Sequence, residues 1–226
     1  GYGSINFGDS GDDNIGLISY DHNTNDMKFF AGAGERMRVD GTGVVLIGAT
    51  SNGSASAGDL VVNGGIFLGG TAAVNELDDY EEGTFTPIYR TTGDQLQAIT
   101  YNGWTGGRYT KVGRLVAVTA AIASNAVTQG SPSGNLRIGG LPFTVASATG
   151  STLNTRGAVV MSNQNNWSTN HTPNNGNVVN GTTEFDLAIL YGNNDDVSSV
   201  ASTDILAGST TGGNRLFFTV TYMTDA

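Results

Sequence analysis

Nowhere in this chain do apolar side chains recur with sustained helical spacing. They come in short runs cut apart by Gly, Asn, Ser and Thr, with 34 Gly among 226 residues. Gly-rich sequence starves helices, whereas short runs bounded by turn residues are how strands read. The 38% hydrophobic content is low, which on its own would also fit a disordered chain. Disorder is usually accompanied by dense charge, and only 13% of these residues are charged. Ordered β-structure is therefore the expectation.

The net charge of −10 leaves no basic footprint for nucleic acid or an anionic membrane surface. No apolar stretch approaches the ~20 residues a membrane-spanning helix needs. Zero Cys excludes a disulfide scaffold and Cys-based zinc sites. The start, Gly1-Tyr2-Gly3, reads as that of a fragment or processed product.

Residues 1–70 form a string of very short strands: Ile15–Tyr20, Met27–Phe29, Arg36–Val39, Val44–Ile47, Leu60–Val62 and Ile66–Leu68. Apolar and basic residues alternate in Met27-Lys28-Phe29 and Met37-Arg38-Val39, the pattern of half-buried strands. Turn chemistry separates them at Asn23–Asp26, Gly32–Gly34 and Asp40–Gly43. Strands this short, with no helix to cover them, cannot bury a face within one chain. Copies wrapped about an axis would cover those faces and close the edges. The expectation for 1–70 is an intertwined β stalk; the number three comes by analogy.

Residues 71–83 read as a linker ending in the acidic cluster Asp78-Asp79-Tyr80-Glu81-Glu82. From 84 to 226 the strands lengthen, the best running from Arg108 to Ile122, with others at Asn135–Ile138, Leu141–Val145, Gly157–Met161, Glu184–Tyr191 and Leu216–Tyr222. This region is expected to be an antiparallel, jelly-roll-like β-sandwich head. Counting strands up and down places loop 162–183 and the C-terminus at the free end, with Asp195 and Asp196 near the stalk. One missed strand inverts every later assignment.

These residues carry a resemblance. The run Ile15–Gly48 (IGLISYDHNTNDMKFFAGAGERMRVDGTGVVLIG) resembles a segment common in bacteriophage tail fibres. Leu77–Pro87 (LDDYEEGTFTP) is similar to the junction before a fibre's C-terminal head, and Gly107–Val116 with Leu141-Pro142-Phe143 resembles that head. The resemblance implies a homotrimer whose N-terminal side joins the rest of the virion tail. Its head would bind a bacterial surface glycan (lipopolysaccharide or capsule) or an outer-membrane protein. The receptor itself is not inherited, because the head loops match nothing in the family.

The chemistry-bearing residues are sparse. His22 and His171 have no second ligand-type residue at metal spacing, and His22 belongs to the stalk pattern. No Gly-x-Ser-x-Gly elbow marks a nucleophile. The acid pairs Asp78/Asp79, Glu81/Glu82 and Asp195/Asp196 raise glycan cleavage, but read as a solvated junction and a turn. Asp9–Asn14 looks superficially like a Ca²⁺ loop, yet lacks the spacing and the bidentate Glu, and reads as a turn. No cofactor or metal is expected.

Sugar binding needs aromatic platforms beside amides and hydroxyls. Asn163, Gln164, Asn165, Asn166, Trp167 and His171 supply these in one loop, the candidate receptor site. The competing reading folds Trp167 back to plug the end of the sandwich. Trp104, early in the head, is assigned to packing. The chain is expected to be the non-catalytic, host-recognising tip of a virion tail fibre. The alternatives are a purely structural fibre segment and a glycan depolymerase.

Overall fold

A computed structural model of the chain describes residues 1–72, 75–77, 79–147, 157, 159–190, 197–209 and 213–225. They form β-structure with no α-helix among them, in two compact units, Gly1–Asp78 and Asp79–Ala226.

The first unit contains a six-stranded sheet in sequence order: β1 (Tyr2–Phe7), β2 (Gly16–Asp21), β3 (Asp26–Ala31), β4 (Gly34–Val39), β5 (Val45–Ile47) and β6 (Leu60–Val62). Pairings are antiparallel except β5 with β6. A separate pair, β7 (Ile66–Phe67) and β8 (Glu76–Leu77), follows. The β3–β4 turn shows how the glycines act. Gly32 and Ala33 sit at φ of 59° and 56°, the doubly left-handed geometry that matches the twist of a two-residue hairpin. Between β2 and β3, Asp21 accepts from the Asn23 amide, and Lys28 lies 3.3 Å from Asp21 and 3.6 Å from Asp26. Arg38 on β4 reaches both Asp26 and Glu35. One face of the sheet thus carries an ion-pair ladder. The six-strand row Ile5–Ile18–Phe29–Met37–Ile47–Val62 lies on the other, and no member of it is buried.

The second unit is a sandwich. One sheet has the order β15 (Val159–Asn165), β20 (Arg215–Met223), β13 (Leu115–Thr128), β12 (Gly106–Val112), β9 (Tyr80–Phe85). Strands β11 (Ala98–Tyr101) and β19 (Gly208–Ser209) also pair with β13. The other sheet has the order β10 (Ile88–Thr91), β14 (Leu136–Gly139), β17 (Glu184–Leu190), β16 (Asn175–Val178), with β18 (Val197–Ser199) on β17. Alternation along β20 and the first half of β13 sends Val116, Val118, Ile122, Leu216, Phe218, Val220 and Tyr222 inward. They meet Leu136, Ile138, Phe185 and Leu187 of the facing sheet, with Phe185 and Phe218 edge to face at 4.9 Å.

The all-β sandwich matches the sequence expectation, but several boundaries differ. The single strand expected over 108–122 is a hairpin, β12 and β13, turned at Gly113-Arg114 with Gly113 at φ 54°. Residues 80–91 are divided between the two sheets as β9 and β10. Residues 80–83, assigned to the linker, are already part of β9, and β16 lies inside the expected 162–183 loop. The added strand changes the strand count. Tyr80, Val112, Leu115 and Met223 are consecutive partners in one row, so the C-terminal end of β20 lies where the chain enters this unit, not at the far end. Asn165, paired with Arg215, lies at the opposite end.

Candidate functional site

The far end of the sandwich is built by three segments: the β11–β12 turn, the end of β15 with the loop after it, and the start of β20. Strand β15 loses register between Ser162 and Asn165. There Asn163 (φ 53°), Asn166 (φ 62°) and Asn170 (φ 65°) take left-handed conformations, which Asn tolerates better than most side chains. Much of the Asn richness of this loop therefore serves backbone geometry.

The structure separates the six residues proposed from sequence. Asn163 and Asn165 are exposed, while Gln164, Asn166 and His171 are half-buried. Trp167 does not share that surface. It is 8% exposed, its ring stands edge-on to Tyr89 at 6.0 Å, and its Nε1–H donates to the Arg215 carbonyl at 3.2 Å. Its backbone bridges to Ile205. The indole is the plug of the sandwich rather than a platform, because the hydrophobic core extends to this end and the loop crosses over it.

His171 is held by a carboxylate. Its Nδ1 lies 2.5 Å from Asp204 Oδ1, and Ser168 Oγ donates to the same oxygen at 3.0 Å. Asp204 Oδ2 accepts the Ala201 amide at 2.7 Å. A nucleophilic triad needs the hydroxyl to lie on the imidazole. Here hydroxyl and imidazole both end on the carboxylate, so the three residues clamp one loop to another.

The side chain that sequence assigned to packing is the exposed one. Trp104, in the turn between β11 and β12, is 61% exposed. The Arg215 guanidinium lies over its ring at 5.6 Å, and Arg215 Nη2 donates to Asn163 Oδ1 at 3.0 Å. Gly103, Gly106 and Gly107 flank this turn, so few neighbouring side chains cover the indole. That glycine context was the only local signal. Arg215 lies far along the chain, and no spacing rule could have paired it with Asn163.

Beyond Trp104 the outer face of the larger sheet carries a depression of about 580 Å³. Gly106, Ala121 and Phe217 form its floor, and Thr84, Arg108 and Thr119 stand beside it.

The acidic junction residues are engaged by neighbours. Asp79 pairs with Lys111, Glu81 accepts from the Tyr109 hydroxyl, and Glu82 from the Tyr80 hydroxyl. Those bonds raise both phenol pKa values. Glu81 and Glu82 are adjacent on a strand and so point to opposite faces, which does not make a facing catalytic pair. Asp78, Asp195 and Asp196 lie outside the described residues. His22 stands edge-on to Tyr20 at 5.0 Å. In the loop after β1, Asp9 Oδ1 accepts the Gly11 and Asp12 amides, as a turn requires.

No family model matches this chain. No curated protein matches it either. Among solved structures, the crystal structure of the Dettilon tailspike protein (gp208) is similar at 16% identity with a TM-score of 0.48. The match covers 80% of this chain and 30% of that one, so the chain spans under a third of the tailspike's length. At that score the likeness carries no argument about fold or function.

Proposed function

We propose that this chain is the distal part of a homotrimeric bacteriophage tail fibre that recognises the bacterial surface without cleaving it. The observation that carries the reading is the uncovered apolar face of the first unit. The row Ile5–Ile18–Phe29–Met37–Ile47–Val62 crosses all six strands, and Tyr20, Met27, Val39, Val45 and Leu60 form a second row beside it. Among the described residues of this unit only Val44 and Leu46 are buried hydrophobics. Burying a large apolar side chain contributes about 1.5–3 kcal/mol. A sheet that leaves two such rows open lacks most of what stabilises a domain, and further copies of the same chain supply it.

A first unit that needs further copies, followed in the chain by a self-sufficient sandwich, fits a part that assembles and presents a binding surface. The fibre resemblance of Ile15–Gly48 and Leu77–Pro87 supports a virion part and the threefold number. The exposed Trp104 with Arg215 and Asn163, at one end of the sheet, supports binding as the role of the sandwich.

Light scattering and incubation with bacterial envelope polysaccharide test the reading together. A particle of three 23.3 kDa chains that retains intact polysaccharide is the expected result. A folded monomer overturns the assembly. Shortened polysaccharide turns the reading to a depolymerase, and absence of retention on cells and polysaccharide turns it to a structural segment.

A further inference from the structure

We infer that the depression beside Trp104 is a binding site for an anionic saccharide, one bearing carboxylate or phosphate groups. The inference rests on the recognition reading above and gives it a place and a ligand class.

Charge is the first argument. In a chain of net charge −10, cations are few, ten Lys and Arg in all, and four of them are held in ion pairs. Lys28, Arg38, Lys111 and Arg137 each face a carboxylate. Arg108 and Arg215 face none among the described residues, and the register puts both on the outer face of the same sheet. Arg108 is opposite Thr119, and Arg215 is opposite Ala123, two strands and four residues away. That offset corresponds to about 16 Å between backbones by ordinary strand spacing, a span suited to an oligosaccharide rather than a single small anion. Neighbouring Glu82 is on this face too, next to Thr84 along β9, so the anion is expected between the arginines and away from Glu82.

Unmet hydrogen bonding is the second argument. Arg215 donates from Nη2 to Asn163, but its Nε is buried with no acceptor. A buried donor without a partner is costly, and an ordered water or a ligand oxygen is what ordinarily relieves it. Arginine also presents a planar fork that matches carboxylate and phosphate geometry.

Shape is the third. Phe217 offers an apolar face of the kind that packs on sugar rings, Thr84 and Thr119 offer hydroxyls in the same depression, and the exposed Trp104 precedes Gly106 by two residues. The floor is low because Gly106 has no side chain. A Cβ built there would meet nothing within 4 Å, and its φ lies outside the left-handed region. Gly107, one residue on, faces the interior, where a Cβ would press on Phe85 and Ala120. The outward glycine is therefore free to vary without disturbing the fold, which makes it a clean probe.

The test uses the whole chain as assembled in solution and three probes: oligogalacturonate for carboxylate, a glycerol-phosphate polymer for phosphate, and dextran as the neutral control. The expected result is retention of one or both anionic probes over dextran. Arg108→Gln and Arg215→Gln should each weaken it at least about tenfold, the size of one charge-assisted contact. Gly106→Trp should abolish it with melting temperature and particle mass unchanged. Arg90→Gln, which removes the same charge from the other sheet, should leave binding as it was. Equal retention of dextran, retention of neither anionic probe, or unchanged binding by Gly106→Trp overturns the inference. So does dissociation of the particle by Gly106→Trp, which would make this face a contact between copies. Adsorption to bacterial cells distinguishes the two failures. Adsorption that persists unchanged in Gly106→Trp removes only this site, whereas wild-type protein that adsorbs to no strain in a panel removes the recognition reading with it.

Discussion

The two tryptophans are expected to respond in opposite ways to the same truncation, and the contrast tests the geometry of the candidate site. Trp167→Ala deletes an indole that is 8% exposed, packed edge-on to Tyr89 and bonded through Nε1 to the Arg215 carbonyl. Large-to-small changes of a buried Trp cost about 3–5 kcal/mol, because transfer and cavity contributions add. For a unit of this size each kcal/mol lowers the midpoint by about 2–4 °C, so a fall of about 6–20 °C is expected. Trp167→Phe keeps most of the packing and loses the N–H donor, at about 1 kcal/mol. Trp104→Ala removes a 61% exposed ring and should stay within about 0.5 kcal/mol of wild type. Near-ultraviolet circular dichroism during heating, at one scan rate for all variants, reads these effects. Any loss of adsorption in Trp167→Ala should track its loss of folded protein, whereas Trp104→Ala should lose adsorption while folded. A midpoint for Trp167→Ala within about 2 °C of wild type would refute the assignment of Trp167 as a core plug.

Ile5→Asp places a charge in the open apolar row of the first unit and should dissociate the particle in light scattering; a wild-type-sized particle would remove that face from the interface. Assembly through that face should also make wild-type unfolding slow, so that the apparent midpoint rises with scan rate; a low midpoint independent of scan rate would argue against intertwined chains. Asp204→Asn weakens the shared acceptor of Ser168 and His171, and faster amide exchange around 168–174 is expected with the sandwich core still protected. Burial raises the Tyr222 phenol from its ordinary 10.0 to about 12. The folded state thus holds this proton more tightly, so its contribution is fully present below pH 10 and is lost as pH rises toward 12. Tyr222→Phe should flatten that alkaline loss, and an unchanged alkaline limb would assign the loss to other groups.

What the sequence determined by itself was local. Short apolar runs between Gly, Asn and Asp specify strands and turns wherever the chain goes, because strand periodicity and turn dihedrals are properties of neighbouring residues. Leu60–Val62 falls where pattern alone puts it, and the chain turns at Gly32-Ala33, inside the Gly32–Gly34 break. The lack of covering elements over 1–70 was also legible, since a run of short strands has nothing local to pack on.

Tertiary structure decided the rest. The Gly113 hairpin was hidden because Leu115–Val118 is apolar at every position, leaving no alternation whose phase could be read across the turn. Which tryptophan is buried depends on whether a loop passes over the core, and Tyr89 and Ile205, which receive Trp167, are distant in sequence. The surface around Trp104 exists only because β20 begins beside the β11–β12 turn, bringing Arg215 against a residue more than a hundred positions earlier. Composition announces that a chain rich in amides and aromatics has surface for sugar. Only strand register brings Trp104, Arg215 and Asn163 together, because side chains on a sheet meet by pairing and not by spacing along the chain.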